Sequence, residues 1–380
     1  MGLPTVAVCV NLDKSYGIGV LRGIKRWIRT HNVWHVFTRN GNPVIHASEL
    51  VNWSGDGVIA QFGDAHVIEV LRSRKIPLVN VSNRVSGFAL PAVHSDDIMV
   101  GKIVAEHFLD RGLEHLGFVG YEGYNYAVER LMGFADRCTE AKRPVHRCPD
   151  PPDWEDYEKT GPVIEQWLRE APKPLGVFAA NDMRARHVIF AAQRLGLRVP
   201  EDVAVVGVDN DELQSQLADV PLSSVELATE TIGYRAAQIL AQLMSGEWVS
   251  HAPTLVPPIG VITRQSSDVL ASRDPIVAKA LEFIQQNSGR ELPVTDVVTY
   301  TGISRRSLEV RFKKIVGRTL QDEIWRNHIE RAKALLIETD LPMPDIARQS
   351  GFPNASRLSS VFRRETNTTP TKYRRLYRQY

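Results

Sequence analysis

Short apolar runs alternate with amphipathic stretches along residues 5–267, and this alternation constrains the fold more than any other feature. The runs are rich in β-branched residues, as in VAVCV from Val6, LGVFAAN from Leu175 and VAVVGVDN from Val203. Between them lie stretches with helical apolar spacing, such as VGKIVAEHFLDRG. Buried strands separated by helices are typical of parallel sheets made of β-α-β units. The region is long enough for two such lobes. We therefore predict a two-lobed α/β fold with ligand-binding residues at the carboxyl ends of its strands.

The pattern changes near residue 268. After that point no strand-like run is evident, and the apolar residues have helical spacing. Residues 272–380 contain 20 Lys and Arg against 12 Asp and Glu, a net charge of +8, whereas residues 1–271 have a net charge of −6. We predict a boundary between Asp268 and Asp274, with an α/β domain at 1–271 and an all-α domain at 272–380. A basic domain on an otherwise acidic protein indicates that this domain binds a polyanion.

The all-α region contains an approximate internal repeat. The segment TDVVTYTGISRRSLEVRFKKIVGRTL, from Thr295, aligns with PDIARQSGFPNASRLSSVFRRETNTTP, from Pro344. Each copy combines a short helix, a turn that contains glycine and a second helix, which is the pattern of a helix-turn-helix. We predict two such units, at about 294–316 and 343–366, joined by a helix of about 18 residues.

The second helix of each unit has the composition of a helix that reads DNA. In the first unit, a helix capped by Ser304 would bury an apolar stripe and leave its basic side chains outside. The stripe comprises Leu308, Phe312, Ile315 and Val316. Arginine in the first turn can pair with the major-groove edge of guanine, and basic residues further along the helix can contact phosphates. A basic helix face is also common on solvated surfaces, but two matching copies in a basic domain favour DNA binding. The predicted DNA contacts are Arg305, Arg306, Glu309, Lys313 and Lys314 in the first unit, and Asn354, Ser356, Arg357, Ser360, Arg363 and Arg364 in the second.

These residues belong to a longer stretch that resembles a known family. The segment DIARQSGF…LSSVFRRETNTTPTKYR resembles the AraC family signature, and residues 274–377 resemble the DNA-binding domain of that family. Residues 5–267 resemble the sugar-binding core of LacI-type repressors, which is related to periplasmic binding proteins. The matching segments are VHSDDIMVGKIVAEHFLDRG, VERLMGFAD, LGVFAANDMRARHV and VPEDVAVVGVDNDEL.

The combination of a LacI-like sensor with an AraC-like domain is rare, and it resembles the xylose operon regulators. The resemblance implies a sugar-responsive transcription activator of genes for pentose uptake and catabolism. Its effector would be D-xylose or a similar pentose. Three alternatives stay open: a plain sugar-binding protein with a vestigial C-terminal domain, an enzyme with a cryptic site, and a regulator that responds to another monosaccharide.

The resemblance to LacI-type sensors also implies a sugar site between the two lobes. Its residues would be Asp96, Arg130, Asn181 and Asp209 as polar contacts, Trp154 as the stacking ring, and Tyr16 as the residue that closes the N-terminal lobe. Carboxylates accept hydrogen bonds from hydroxyl groups, arginine and asparagine donate them, and an aromatic ring covers the C–H face of a sugar. Structural roles are open for the same residues: Asp96 and Asp209 as helix caps, Arg130 as a surface cation and Trp154 as a core residue.

The sequence favours a regulator over an enzyme. It contains no recognised phosphate-binding glycine loop, no HExxH motif and no GxSxG elbow, and its three cysteines lack metal-ligand spacing. We expect no catalytic activity, no metal site and no cofactor besides the sugar effector. The cysteine usage and the lack of a signal peptide or membrane-spanning stretch indicate a cytoplasmic protein.

The expected partners are double-stranded operator DNA, the sugar and a second copy of the chain, because both families imply a homodimer. An activator would also contact RNA polymerase. Closure of the two lobes on the sugar would then reorient the DNA-binding domains of the dimer on repeated half-sites.

Overall fold

Two α/β lobes and a helical C-terminal domain make up the chain, which confirms the predicted fold class. The computed structural model describes residues 3–31, 34–38, 50–85, 87–151, 156–269, 274–316, 318–366 and 368–377. Among the residues predicted to bind the sugar, Trp154 lies outside these ranges.

The first lobe is a four-stranded parallel sheet in the order β2-β1-β3-β4. Its strands are β1 (Thr5–Cys9), β2 (His35–Thr38), β3 (Gly57–Ala60) and β4 (Leu78–Asn80), and its helices are α1 (Ser15–His31), α2 (Ala65–Ser73) and the later α8 (Thr229–Met244). Val6 and Val8 pack against α1 and α8, whereas Ala7 and Cys9 pack against α2. Burial on both faces explains why β1 is apolar at every position from Val6 onward.

The second lobe is a six-stranded sheet in the order β12-β10-β9-β8-β6-β7, parallel except for β12, which is antiparallel to β10. The strands are β6 (His115–Val119), β7 (Val145–Arg147), β8 (Leu175–Ala179), β9 (Val203–Val208), β10 (Ser223–Glu226) and β12 (Gly260–Ile262). The helices are α3 (Asp97–Asp110), α4 (Asn125–Glu140), α5 (Tyr157–Glu170), α6 (Asp182–Arg194) and the short α7 (Glu212–Gln216). Alternate residues of β9 face the α3–α4 layer and the α5–α6 layer, so this sheet is also buried on both faces.

The chain passes between the lobes at three places within the described residues. Strands β5 (Val93–Ser95) and β11 (Thr254–Val256) pair with each other, and Val93 and Val256 lie in the core of the first lobe. The crossings follow β5, β10 and β11. The carboxyl ends of the strands meet near these crossings, where open α/β sheets bind ligands.

Helices are the only regular elements in the described residues of the C-terminal domain. Its helices are α9 (Pro275–Gln286), α10 (Val294–Thr301), α11 (Arg305–Val316), α12 (Leu320–Glu338), α13 (Met343–Gln349), α14 (Ala355–Thr366) and α15 (Pro370–Tyr377). Helices α10–α11 and α13–α14 are the two predicted helix-turn-helix units. Gly302 and Gly351 adopt left-handed conformations in their turns, with φ of 74° and 78°, which glycine accepts without strain. Helix α12 contributes Ile324 to the core of the first unit and Leu336 to that of the second.

Ion pairs join the second lobe to the C-terminal domain. Asp110, at the end of α3, pairs with Arg318 at 3.2 Å and with Arg326 of α12. Arg318 also pairs with Glu323 of α12 at 2.8 Å. Arg111 lies beside these charges, and its desolvation together with the Arg326 cation lowers its pKa to about 10. The end of α3 therefore contacts the helix that links the two helix-turn-helix units.

Candidate functional site

A buried ion pair lies at the carboxyl end of the second sheet. The Nε atom of Arg130, on α4, is 2.7 Å from Oδ1 of Asp97, the first residue of α3, and the two residues are 4% and 2% exposed. Arg130 also donates to the carbonyl oxygen of Ala180, which follows β8. Gly101 permits this geometry, because a Cβ there would overlap the Arg130 carbonyl oxygen. A charge is costly to bury unless it is paired, so each partner holds the other in the crevice.

Hydrogen bonds connect this ion pair to the first lobe. Asn83, which follows β4, donates to Oδ2 of Asp97 at 2.9 Å and to Glu129 at 2.7 Å. The side chain of Asn125 donates to Asn83 at 2.6 Å. Glu129 and Asn125 lie on α4 of the second lobe, so polar contacts join the lobes beside the ion pair.

Tyr16 reaches the same crevice from the first lobe. Its hydroxyl donates to the carbonyl oxygen of Val81 at 3.0 Å, and its ring packs against the cores of both lobes. Burial raises the pKa of this hydroxyl, and the carboxylates of Asp97 and Asp209 raise it further. Tyr16 is therefore a neutral hydrogen-bond donor inside a charged site.

Asp209 and Asn210 follow β9 in conformations that residues other than glycine rarely adopt, with φ of 106° and 47°. Such conformations concentrate at functional sites, where the surrounding structure holds them. Burial raises the pKa of the Asp209 carboxyl to about 6, against the opposing effect of Arg130. Asn210 accepts a hydrogen bond from Arg264 at 2.8 Å. Asp209 thus brings a carboxyl with an elevated pKa to the end of the central strand.

The structure distinguishes among the structural roles left open by the sequence. Asp96 and Asn181 accept hydrogen bonds from backbone amides in the first turns of α3 and α6, at 2.9 and 3.0 Å, so both cap helices. The residue that caps α7 is Asp211 and not Asp209. Arg130 is buried and is not a surface cation. Tyr16, Arg130 and Asp209 influence one another electrostatically, so the structure brings these three together.

Asp97 and Tyr126 are polar residues of the crevice that the sequence alone does not identify. The Asp96–Asp97 pair begins α3, and the sequence does not distinguish the carboxylate that caps the helix from the one that pairs with Arg130. Two consecutive carboxylates at a helix start are the only signal for Asp97. Tyr126, whose ring centroid is 4.8 Å from the Arg130 guanidinium, carries no distinctive sequence signal. Asp182 accepts from the Ser224 hydroxyl at 2.6 Å, and burial raises its pKa well above the usual range.

An open cleft of about 600 Å³ adjoins Asp209. It lies between the first half of α1, the start of α8 and residues 209–213. This volume is within the range of small-molecule sites. Asp209 lines the cleft, whereas Tyr16, Asp96, Arg130 and Asn181 lie outside its lining. Asp209 therefore lies between the buried ion pair and an opening that can admit a small molecule.

Asp209→Asn is expected to stabilise the fold at pH 7.5 and to lose most of that advantage at pH 4. The pKa of Asp209 rises from 3.8 to about 6 on folding. Protonated Asp209 therefore contributes its full stabilisation of the fold below pH 3.8, and this stabilisation is lost as the pH rises through 6. An asparagine is neutral at both pH values and tolerates positive φ. The gain at pH 7.5 is expected to be about 2 kcal/mol after allowance for partial exposure.

The measurement is urea unfolding of the parent and the variant at the two pH values. Asp219→Asn, at an exposed position, is the control for a generic change of charge. A stability difference that is the same at pH 4 and pH 7.5 would contradict the elevated pKa of Asp209.

The outer face of α11 is basic, as predicted. Arg305, Arg306, Glu309, Lys313 and Lys314 are all exposed. Arg305 pairs with Glu309 at 2.8 Å. Arg306, the other arginine of the first turn, forms no ion pair within the described residues. The Ser304 hydroxyl accepts from the Ser307 amide at 3.3 Å, in the position of the predicted cap. Leu308, Phe312 and Val316 are buried, whereas Ile315 is only half-buried, so the predicted stripe was too wide at Ile315.

The outer face of α14 is equally accessible. Asn354 caps the helix, accepting from the Arg357 amide at 2.8 Å. The predicted DNA contacts of this unit are all exposed: Asn354, Ser356, Arg357, Ser360, Arg363 and Arg364. The guanidinium groups of Arg357 and Arg364 lie 4.9 and 4.7 Å from the ring centroid of Trp325, on α12.

The described ranges contain neither a metal-binding cluster nor a membrane-spanning helix. No group of three or more His, Cys, Asp or Glu side chains there could hold a metal ion. None of the helices in those ranges is both long and apolar enough to cross a membrane.

Comparisons with known proteins agree with this architecture. Family profiles match the chain as a XylR N-terminal domain over residues 5–92, a periplasmic binding protein-like domain over 105–267 and a helix-turn-helix domain over 297–376. A solved structure of the xylose-binding transcription activator xylR is 29% identical, with a TM-score of 0.63 over 98% of both chains.

Two curated relatives match along nearly their whole length. The chain is 31% identical to the xylose operon regulatory protein of Escherichia coli (strain K12) over 383 residues, covering 97% of this chain and 96% of that protein. It is 32% identical to the xylose operon regulatory protein of Haemophilus influenzae over 382 residues, covering 97% of both. With this identity across both the sensor and the DNA-binding domain, the chain belongs to the family of xylose operon regulatory proteins.

Proposed function

We propose that the chain is a sugar-responsive transcription activator that binds D-xylose between its sensor lobes and operator DNA through its two helix-turn-helix units. The observation that carries this proposal is the presence of both sites in one chain. A buried Arg130–Asp97 pair lies beside Asp209 at the strand ends, and two basic helices face outward from the C-terminal domain. Membership of the xylose operon regulatory family supports xylose as the effector.

The sugar would bind through the polar groups of the crevice. Asp97 and Asp209 accept hydrogen bonds from hydroxyl groups, and Arg130 donates them. Each charge-assisted hydrogen bond contributes about 1.5–3 kcal/mol. The proposed site also contains Asp96, Asn181, Tyr16 and, as the stacking ring, Trp154. The capping bonds of Asp96 and Asn181 leave their remaining acceptor and donor atoms for a ligand.

Helix α3 connects the proposed sugar site with the DNA-binding domain. Asp97 is its first residue and Asp110 its last, and the 14 residues span about 20 Å. Because a helix moves as a rigid body, a shift of Asp97 on sugar binding would move Asp110 against Arg318 and Arg326. The sugar can drive this shift only if it binds one arrangement more tightly than the other.

The remaining assignments complete the proposed regulator. The sensor would comprise residues 1–271 and the DNA-binding domain residues 272–380. Helix α9, which begins at Pro275 with Asp274 as its cap, supports that boundary. We propose a cytoplasmic homodimer that recruits RNA polymerase and performs no catalytic step.

Calorimetric titration with D-xylose, L-arabinose, D-ribose and D-glucose tests the effector. We expect D-xylose to bind most tightly. DNA binding is measured on a duplex that the protein selects from a random-sequence library, with and without xylose and over a range of salt. Sugar binding without any salt-sensitive DNA binding would support the alternative of a sugar-binding protein with a vestigial C-terminal domain. Tightest binding of another sugar would replace xylose as the effector.

Arg306→Ala and Lys314→Ala are expected to affect DNA binding in different ways. Arg306 lies in the first turn of α11, where side chains reach base edges, and Lys314 lies near its end. Arg306→Ala should weaken binding to the selected duplex by about 1–3 kcal/mol and relax the preference at one or two base pairs. Lys314→Ala should weaken binding to all duplexes similarly and reduce the salt slope by about one. An equal loss on selected and shuffled duplexes for Arg306→Ala would show that α11 contacts only the backbone.

A further inference from the structure

Two arginines of α14 converge on one indole. Arg357 and Arg364 are seven residues apart, so they lie on the same face of the helix, two turns from each other. Their guanidinium carbons are 4.9 and 4.7 Å from the ring centroid of Trp325. Trp325 is a half-buried residue of α12 that packs against the core of the second unit. The adjacent Ile324 packs in the core of the first unit, so this ring lies where the two units meet.

The contact leaves both arginines able to bind DNA. A guanidinium over an aromatic face keeps its N–H groups available, because these point outward in the plane of the group. Tryptophan is the side chain that attracts a cation most strongly in this way. The ring also restricts the rotation of two long side chains before DNA arrives, which lowers the entropy lost on binding.

The two arginines occupy positions that suit different parts of DNA. Arg357 is in the first turn of α14, which reaches base edges in a helix-turn-helix, and Arg364 is in its last turn. Arg364 also pairs with Glu365 at 2.7 Å. The neighbouring Arg363 is exposed on the same helix, and among the described contacts it has none with the indole.

We propose that Trp325 is a positioning residue for DNA recognition, whose indole holds Arg357 and Arg364 in the orientation in which the second unit contacts DNA. The inference rests on the proposed DNA-binding function and extends it. Through these arginines, a residue of the linking helix sets how the second unit reads its half of the site. The alternative is that Trp325 only contributes apolar packing, and the experiment separates the two.

The test is a mutant cycle on the full-length protein. The DNA probes are a duplex selected by the parent from a random-sequence library and a shuffled duplex of the same composition. Trp325→Leu removes the aromatic face and keeps apolar volume, whereas Trp325→Phe keeps an aromatic face. Each arginine freed from the ring has to be ordered again on binding, which should weaken affinity about two- to fivefold per side chain, so Trp325→Leu should weaken binding to the selected duplex about 4- to 25-fold. Trp325→Phe should weaken binding by less than half as much as Trp325→Leu, measured on a logarithmic scale.

The decisive measurement repeats Trp325→Leu in an Arg357→Ala/Arg364→Ala background. If Trp325 acts through these arginines, its replacement there should change affinity less than twofold. In an Arg363→Ala background, the matched control, the full effect should persist. An equal loss in all backgrounds, or an equal loss for leucine and phenylalanine, would overturn the proposal in favour of packing.

Thermal unfolding accompanies every variant. If Trp325→Leu lowers the melting temperature, Trp325→Met replaces it in the cycle, because methionine is flexible and has high helix propensity. Failure of the parent to bind any duplex would refute the proposed function itself, and the positioning role with it. If the parent binds DNA but Trp325→Leu weakens binding equally with and without Arg357 and Arg364, only the role of Trp325 is refuted.

Discussion

Arg130→Ala is expected to destabilise the second lobe by about 3–5 kcal/mol and to abolish measurable sugar binding. The substitution leaves the Asp97 carboxylate buried without its cation, and both residues are among the least exposed charged groups described in the chain. It also removes the donor to the Ala180 carbonyl oxygen, next to the proposed sugar contact Asn181. Urea unfolding measures the first effect, and titration with D-xylose the second.

Arg137→Ala is the matched control for this prediction. Arg137 also lies on α4 and pairs with Glu106 of α3, and the Nε–Oε1 distance is again 2.7 Å. The side chains of this pair are 26% and 46% exposed, so its loss should cost at most about 1 kcal/mol and leave sugar binding intact. Equal effects of the two substitutions would contradict the special role of the buried pair.

Leu308→Ala is expected to destabilise the first helix-turn-helix unit by about 2–5 kcal/mol and to abolish DNA binding at 37 °C. Leu308 is fully buried in a core that it shares with Val297, Phe312 and Ile324. Truncation leaves a cavity between α10, α11 and α12, and a small helical unit has little stability to spare. The measurements are the melting temperature and binding to the selected duplex.

Val310→Ala provides the comparison on the same helix. Val310 is 62% exposed, so its truncation should change stability by no more than about 0.5 kcal/mol. If Leu308→Ala leaves the melting temperature and DNA binding unchanged, α11 does not depend on this core. Sugar binding should survive Leu308→Ala, because the first unit and the sensor crevice have separate cores.

The arrangement of helix α3 gives the proposed regulator a direct connection between its two sites. One end carries the carboxylate that pairs with Arg130, and the other carries the carboxylate that pairs with Arg318 and Arg326. The close approach of α3 to α4 at Gly101 and Gly133 fixes the first end, because a Cβ at either glycine would overlap the opposite backbone. Movement of α3 against α12 is therefore the proposed route from sugar binding to DNA binding.

Much of the fold could be predicted from local patterns. The alternation of buried runs with amphipathic stretches indicates the parallel sheets, because strands covered on both faces must be apolar at every position. The repeated glycine turn and the stripe of Leu308 and Phe312 indicate the helix-turn-helix units. The spacing of the stripe shows which face of the helix is buried. These features depend on neighbours along the chain, which the sequence displays directly.

The site was only partly predictable. Arg130 and Asp209 are predicted from a family resemblance, and the structure brings them together with Tyr16. The predicted sugar contact Asp96 also caps α3, and its neighbour Asp97 pairs with Arg130. The two aspartates have the same chemistry, and only the position of α4, about 30 residues further along the chain, decides which one is buried beside a cation.

Local patterns along the chain are sufficient to indicate two parallel-sheet lobes, a basic helical domain with a repeated helix-turn-helix, and the residue types expected at a sugar site and at a DNA interface. Which side chains act together depends instead on how separate elements pack. The Asp97–Arg130 pair, the Asp110 contacts with Arg318 and Arg326, and the stacking of Arg357 on Trp325 each join residues from separate elements. Their energies depend on burial and on distances of a few ångströms, which arise when helices pack and which no local pattern records.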